Sequence, residues 1–316
     1  MTNVALLGSF GDVGGSPLVF RNKLINGGMA VDQRNAGATQ TFTAAAALAY
    51  SVDRWYGYCT GANVTGARVA GTGSQFAYRF TGAASVTAIG FAQRIEQLNS
   101  YSLAGQTATL SVDLANSLLT TVTWTAYYAN TADTFGSLAS PTKTSIATGT
   151  FTVTSTVTRY QAQITVPAAA TTGIEILFTV GAQTSGTWTI QNAQLEAGSS
   201  PTPFEQRPIG MELSLCQRYY EKIPFGAYFT SARSNSASVN VAVSLPQALT
   251  KRIQTSSLTL TIASSQTQDA SGNVSNLTAN SYAFGDGFFL IVGSFTYASN
   301  FPLSCLLNNA QLSAEL

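Results

Sequence analysis

Histidine is absent from the 316 residues, and only 9% of them are charged, against roughly 25% in an average globular domain. The first absence removes Ser-His-Asp and Cys-His nucleophilic sites, together with every histidine-ligated metal site. The second, with a net charge of +1, leaves no broad basic field to hold nucleic acid or an anionic membrane. Cysteine is scarce: Cys59, Cys216 and Cys305 are far apart, no Cys-x-x-Cys pair occurs, and an odd count builds no disulfide framework. Free buried thiols are therefore expected. Long apolar runs are missing as well. The longest, from Ala44 to Tyr50, is mostly alanine and too short to span a bilayer, so no membrane insertion is expected. Met1 to Phe10 carries neither a basic opening nor a sustained apolar stretch, so no secretory signal is read there and synthesis in the cytoplasm is expected.

What remains is a chain that is 45% hydrophobic, with 17 Phe and 13 Tyr, rich in Thr, Ser, Ala, Val and Gly. Cores can form, and disorder is not expected of so aromatic and weakly charged a composition. From 23 to 204 short runs alternate polar and apolar residues between Gly, Asn and Ser turns. In Thr107-Ala-Thr-Leu-Ser-Val-Asp-Leu114 the side chains of Leu110, Val112 and Leu114 share a face; Val122, Trp124, Ala126 and Tyr128 share another. Further strands are expected over 159–166, 173–180 and 187–195. No strand–helix alternation is visible. The fold class is all-β: a jelly-roll β-sandwich over 23–204, then a short linker helix over 205–224, then a smaller C-terminal β-domain over 225–316. Within that last domain strands are expected at 237–245, 257–262, 287–297 and 310–316, with a polar loop at 266–280. Residues 1–22 read as an extended arm, either a frayed terminus or a docking segment around Leu18, Val19 and Phe20.

The pattern breaks once. Pro201, Pro203 and Pro208 mark an extended linker, after which Ile209, Leu213, Cys216, Tyr220 and Ile223 recur at alternating spacings of four and three. That is one apolar stripe on a helix, and also the a/d seam of two heptads. Pro208 suits the helix start and Pro224 its stop. A helix of about four turns is marginal alone in water and needs a partner, a neighbouring domain or copies of itself.

Four segments carry a family resemblance. Asn22-Lys-Leu-Ile-Asn-Gly-Gly-Met-Ala-Val-Asp-Gln-Arg34 resembles the opening strand of jelly-roll modules in phage fibre and virion proteins, and Ser51-Val-Asp-Arg-Trp55 the Asp-Arg-Trp that follows. Trp188-Thr-Ile-Gln-Asn-Ala-Gln-Leu-Glu-Ala-Gly198 resembles the closing strand, and Pro203 to Lys222 the charged linker helix. The resemblance covers 22–223, and the C-terminal part carries no motif of comparable strength. It implies a bacteriophage tail-fibre, head-fibre or decoration protein located in the virion, a homotrimer with a carbohydrate-binding-module-like jelly roll. Its implied partners are copies of itself and capsid or tail proteins. It does not imply that the sandwich binds sugar, since such modules also serve as spacers.

Candidate chemistry is sparse. Trp55, Trp124 and Trp188 sit among apolar positions and read as core. Tyr56, Tyr58 and Tyr127, with Tyr128, are candidates for an exposed face that would meet a host surface glycan. Asp53 and Arg54 read as members of ion pairs with Glu196 or Arg34. Asn26, Asp32 and Glu196 are the oxygen donors that a structural calcium ion would use, although no EF-hand loop is present and no cofactor is expected. None of the 14 acidic residues falls in a recognisable two-carboxylate constellation, and no phosphate-binding glycine loop occurs. The leading expectation is a non-enzymatic virion protein. A glycan-binding module is the alternative, and a depolymerase the third reading.

Overall fold

The computed structural model describes residues 20–44, 48–223, 227–231, 238–243, 259–268, 274–276, 278–285, 288–294 and 303–316. It divides into two compact units, one of residues 1–212 with Leu316, the other of 213–315, and the division falls inside a helix.

The first unit is a β-sandwich. Its strands are β1 (Gln40–Phe42), β2 (Ala49–Tyr50), β3 (Trp55–Thr60), β4 (Val64–Ala70), β5 (Phe76–Thr81) and β6 (Ala88–Ile95), then β7 (Thr107–Asn116), β8 (Thr121–Ala129), β9 (Lys143–Thr152), β10 (Thr158–Thr165), β11 (Ile174–Val180) and β12 (Thr187–Ala197). Sheet I has the order β1-β4-β5-β12-β7-β10 and sheet II the order β2-β3-β6-β11-β8-β9. Every pairing is antiparallel, and most neighbours are distant in sequence, as the long connections of a jelly roll require.

Alternation along each strand decides which face turns inward. Leu110, Val112 and Leu114 of β7 are fully buried, as are Val122 of β8 and Ile176 and Phe178 of β11. The expected face of β8 holds to its end, where Tyr128 is half-buried and packs against the same core as Val122, Trp124 and Ala126. Between the sheets lies an aromatic stack: Trp55 over Phe91 at 5.0 Å, Tyr78 over Phe91 at 4.9 Å, and Phe80 over Trp188 at 5.5 Å. All three tryptophans are core, at 0%, 6% and 0% exposure for Trp55, Trp124 and Trp188. Cys59 and Cys216 are free and buried.

The second unit contains β13 (Tyr220–Ile223), β14 (Ala227–Ser231), β15 (Ser238–Val243), β16 (Thr259–Gln268), β17 (Val274–Asn276), β18 (Thr278–Gly285), β19 (Phe288–Ser294) and β20 (Leu303–Ser313). They form a sheet ordered β13-β20-β16-β17, with β14 also paired to β20, and a sheet ordered β15-β19-β18. The loop expected over 266–280 is largely strand: β16 runs on to Gln268, and β17 and the start of β18 fill much of the remainder.

The linker helix is shorter than its apolar stripe suggests. It spans Ile209–Gln217 and is closed by a turn in which the Tyr219 amide donates to the Cys216 carbonyl at 2.9 Å. Tyr220 and Ile223 then pair as strand with Ser313 and Ala310 of β20. A heptad pattern and a strand can share residues here because Tyr-Tyr-Glu-Lys-Ile suits a pleated surface once a partner strand is present. Ile209, Leu213 and Cys216 remain on one helical face, the first exposed, the second half-buried, the third buried. The five residues do not form a single helical seam.

Candidate functional site

Charged side chains are rare in this chain, so their clustering is informative. On the outer face of sheet I, Asp113 of β7 stands directly opposite Arg159 of β10 and Gln191 of β12. Arg159 Nη1 donates to Asp113 Oδ1 at 3.0 Å, and its Nη2 donates to Ser111 Oγ at 2.7 Å. Asn192 Nδ2 donates to the other carboxylate oxygen, Oδ2, at 2.7 Å. Asn192 reaches it because β12 is bulged between Gln191 and Gln194, with Asn192 held at φ 50°. A bulge in a central strand redirects a side chain, and Asn is among the few residues that tolerate this conformation. The salt bridge is half in water, with 31% of Arg159 and 15% of Asp113 exposed.

The chain leaving β12 returns across this face and makes a wall. Thr202 donates through its amide to Glu196 Oε1 at 2.8 Å and through its hydroxyl to Glu196 Oε2 at 2.6 Å. Gln163 Nε2 holds the Ser199 carbonyl at 2.6 Å, and the Glu205 amide donates to Gln194 Oε1 at 2.8 Å. Pinned in this way, residues 201–204 bound an open groove of about 490 Å³ whose floor is Asp113, Arg159 and Gln161. The groove offers a carboxylate that accepts, a guanidinium that donates, an amide that does both, and the half-buried ring of Phe204. Polar groups at fixed positions beside an aromatic surface suit a ligand dense in hydroxyls with apolar C–H faces.

The tyrosines expected to face a ligand lie on the outer face of sheet II, and they pack on one another. Tyr56 is 1% exposed and belongs to a small apolar cluster with Ala92 and Leu177, against which Tyr50, Tyr58 and Tyr127 are packed. Its hydroxyl donates to Glu175 Oε2 at 2.6 Å. Burial, reinforced by the Glu175 carboxylate, pushes the Tyr56 phenol well above its ordinary range. Glu175 is fully buried; it also accepts from Arg94 Nε at 2.8 Å and from Lys143 Nζ. The Arg94 guanidinium carbon lies 5.1 Å from each of the Tyr56 and Phe135 ring centres, an arrangement that favours a desolvated cation. Lys143 Nζ sits 4.3 Å over the Tyr127 ring, and the Leu316 carbonyl accepts from Tyr50 Oη at 2.9 Å and from Arg94 Nη1 at 2.7 Å. Tyr58 lies flat across Gly90, where a Cβ would overlap its ring. Tyr56 is thus a buried structural residue, while Tyr58 and Tyr127 are half-buried and partnered.

The three calcium candidates are not brought together. Asn26 Oδ1 accepts from the Val31 amide at 2.9 Å, and its Nδ2 donates to the Val31 and Asp53 carbonyls at 2.8 and 2.9 Å. Asp32 accepts from the Asn35 and Gly37 amides at 3.0 and 2.7 Å, while Glu196 is bound by Thr202, by Gln194 and, at 3.6 Å, by Arg21. Among the described residues no group of three or more His, Cys, Asp or Glu side chains is placed to hold a metal. Asp53 lies 3.9 Å from Arg34, and Arg54 Nη2 donates to the Arg94 carbonyl at 2.5 Å; neither is paired with Glu196. Leu18 and Val19 lie outside the described residues. Phe20 is 51% exposed and its amide donates to Glu205. No helix among the described residues is long and apolar enough to cross a membrane.

No family model matches the sequence, and no curated protein matches it. Among solved structures, the enzymatically active domain of tailspike protein 4 of bacteriophage CBA120 aligns at 18% identity and a TM-score of 0.37, over 56% of this chain and 22% of that one. A family 61 carbohydrate-binding module in complex with β-1,4-galactotriose aligns at 12% identity and a TM-score of 0.36, over 56% of this chain and 99% of the module. A family 4 module aligns at 16% identity and a TM-score of 0.35, over 55% and 98%. At these values the likeness implies nothing about activity or ligand.

Asp113, Arg159, Gln161, Asn192 and Phe204 were not legible as a site from sequence. The available signal was weak. Asp113 and Arg159 are charged residues on the polar faces of two expected strands, but only the pairing of β7 with β10 makes them neighbours.

Proposed function

We propose that the sandwich is a non-catalytic glycan-binding module that meets a host surface polysaccharide through the groove of sheet I. The observation that carries this reading is the Asp113–Arg159–Gln161 floor facing the Phe204 wall. Glycoside hydrolysis by the common routes needs two carboxylates across the scissile bond, and Asp113 is the one carboxylate lining the groove. Affinity electrophoresis through gels containing intact surface polysaccharide tests the reading. Retardation of the protein, lost in Phe204→Ala and Gln161→Ala variants with unchanged melting, is expected. Equal migration with and without every polysaccharide, or variants retarded like the parent, overturns it.

A second reading concerns where such a module works. The segments that carry the fibre-protein resemblance meet in one polar knot. Asn22 accepts from the Leu195 amide at 3.1 Å and donates through Nδ2 to the Ala193 carbonyl at 3.0 Å; its amide donates to Glu205 Oε2 at 2.9 Å. Arg207 donates to the carbonyls of Asn22 and Leu24, and Trp55 Nε1 donates to the Asn26 carbonyl at 3.0 Å. From the resemblance of these segments we propose a phage fibre or decoration protein that docks by its N-terminal arm and assembles as a homotrimer. Light scattering on the full chain is expected to give three times the monomer mass, reduced by Ile209→Asp on the exposed helix face. A monomer at micromolar concentration removes the trimer.

A further inference from the structure

Phe204 has a second side. Behind it a smaller cavity of about 200 Å³ is lined by Ser74, Gln75, Asn192, Arg207 and Glu212 among others, with Phe204 common to both the cavity and the groove. Its rim is built. The turn between β4 and β5 is tied to β12 by a two-way amide pair: Gln191 Oε1 accepts from the Thr72 amide at 3.1 Å and Nε2 donates to the Thr72 carbonyl at 2.8 Å. That fixes Ser74 and Gln75 at the mouth. Asn192, at φ 50°, lines the cavity and bonds the groove's Asp113, so a single strained residue joins the two spaces. On the floor the Arg207 side chain is 6% exposed, and its buried Nε has no hydrogen-bond partner.

We infer that groove and cavity are two contiguous subsites separated by Phe204, and that they take a neutral oligosaccharide of at least two units, one ring in the groove and the next in the cavity. The inference rests on the glycan reading of the groove and adds length and charge to it. The volume of the cavity suits one small polar ring. Charge argues for a neutral ligand. The two linings carry three carboxylates (Asp113, Glu205, Glu212) against two guanidinium groups (Arg159, Arg207), and both guanidinium groups already face carboxylates, Arg159 on Asp113 at 3.0 Å and Arg207 on Glu205 and Glu212 at 3.4 Å. An anionic sugar would meet no free cation in either lining and would be repelled by the acidic excess.

The test is calorimetric titration of the full chain with ladders of β-linked glucose, galactose and N-acetylglucosamine, from one to four units, with oligogalacturonate as the acidic arm. Gln75 and Gln161 are both exposed and each lines one space only, so their alanine variants should fold as the parent does. In one neutral ladder the parent is expected to bind the two-unit sugar at least tenfold more tightly than the one-unit sugar. Gln75→Ala should erase that step and leave one-unit binding within twofold, whereas Gln161→Ala should weaken both. Absence of a length step in every ladder, a step untouched by Gln75→Ala, or preference for oligogalacturonate overturns the two-subsite inference. If intact polysaccharide still retards the protein in that case, the groove reading survives alone; if it does not, both fall.

Discussion

Gly27 stands where nothing larger fits: a Cβ there would lie inside the carbonyl oxygen of Ala193, a backbone atom that cannot swing away. The Ala193 amide in turn donates to the Gly27 carbonyl at 3.0 Å. Overpacking of this kind costs about 1–3 kcal/mol. Gly27→Ala is therefore expected to lower the urea midpoint by a corresponding amount without changing the slope. Glu175 presents the opposite problem, a fully buried carboxylate that is stable because three donors converge on it. Glu175→Ala leaves Arg94 and Lys143 facing each other without their anion and should cost about 3–5 kcal/mol in urea unfolding. Tyr56→Phe removes one neutral donor, and about 1–3 kcal/mol is expected. The pH sign follows from the raised Tyr56 phenol. In the unfolded chain a tyrosine ionises near pH 10. The stability that Tyr56 gives is thus complete below about pH 10 and is lost as pH rises from there through its folded value. Absorbance at 295 nm during alkaline titration should show part of the phenolate signal appearing only with unfolding, Tyr78 being buried as well, and Tyr56→Phe should reduce that component by one tyrosine.

At the scale of elements, the bulge in β12 and the short helix show two ways in which pattern reading succeeds and stops. Val112, Leu114 and Ile190 announce their strands because alternation is a local property. Nothing local in Gln-Asn-Ala-Gln announces that the strand bulges there: it bulges because Gly27 and Asn22 on another segment claim the backbone of Ala193. The helix from Ile209 ends early for a similar reason. The stripe through Tyr220 and Ile223 has helical spacing, yet β20, nearly ninety residues away, supplies the partner that makes them strand. The core was therefore readable in sequence, and the site was not, since Asp113, Arg159 and Phe204 are joined only by pairing and by the path of the linker. One experiment separates geometry from contact at the bulge. Asn192→Gly accepts φ 50° and should keep the melting temperature while losing the bond to Asp113 and with it glycan affinity. Asn192→Val should also cost about 1–2 kcal/mol in stability, because a branched side chain resists the left-handed conformation.

Across the whole molecule, the absence of histidine leaves no side chain whose ordinary pKa lies between pH 5 and 8. The thermal midpoint is expected to be flat from about pH 5.5 to 7.5, as measured by calorimetry, and a slope there would expose a strongly displaced group elsewhere. Low charge has a second effect at this scale. With 15 basic and 14 acidic residues on 316, few charges are present to be screened, so salt should change the thermal midpoint little.

The polar knot also determines how the molecule bears load. Arg21 donates to the Pro203 carbonyl at 2.7 Å, Asn22 to Glu205 at 2.9 Å, and Arg207 returns to the carbonyls of Asn22 and Leu24. The chain thus enters and leaves the sandwich through one clasp. Tension applied between residues 20 and 212 runs through that clasp and bypasses all twelve strands, which hang from the line of force as a closed loop. Under pulling, the clasp must open before any strand is strained. A sandwich attached in this way keeps its strand pairings intact while the chain on either side is stretched.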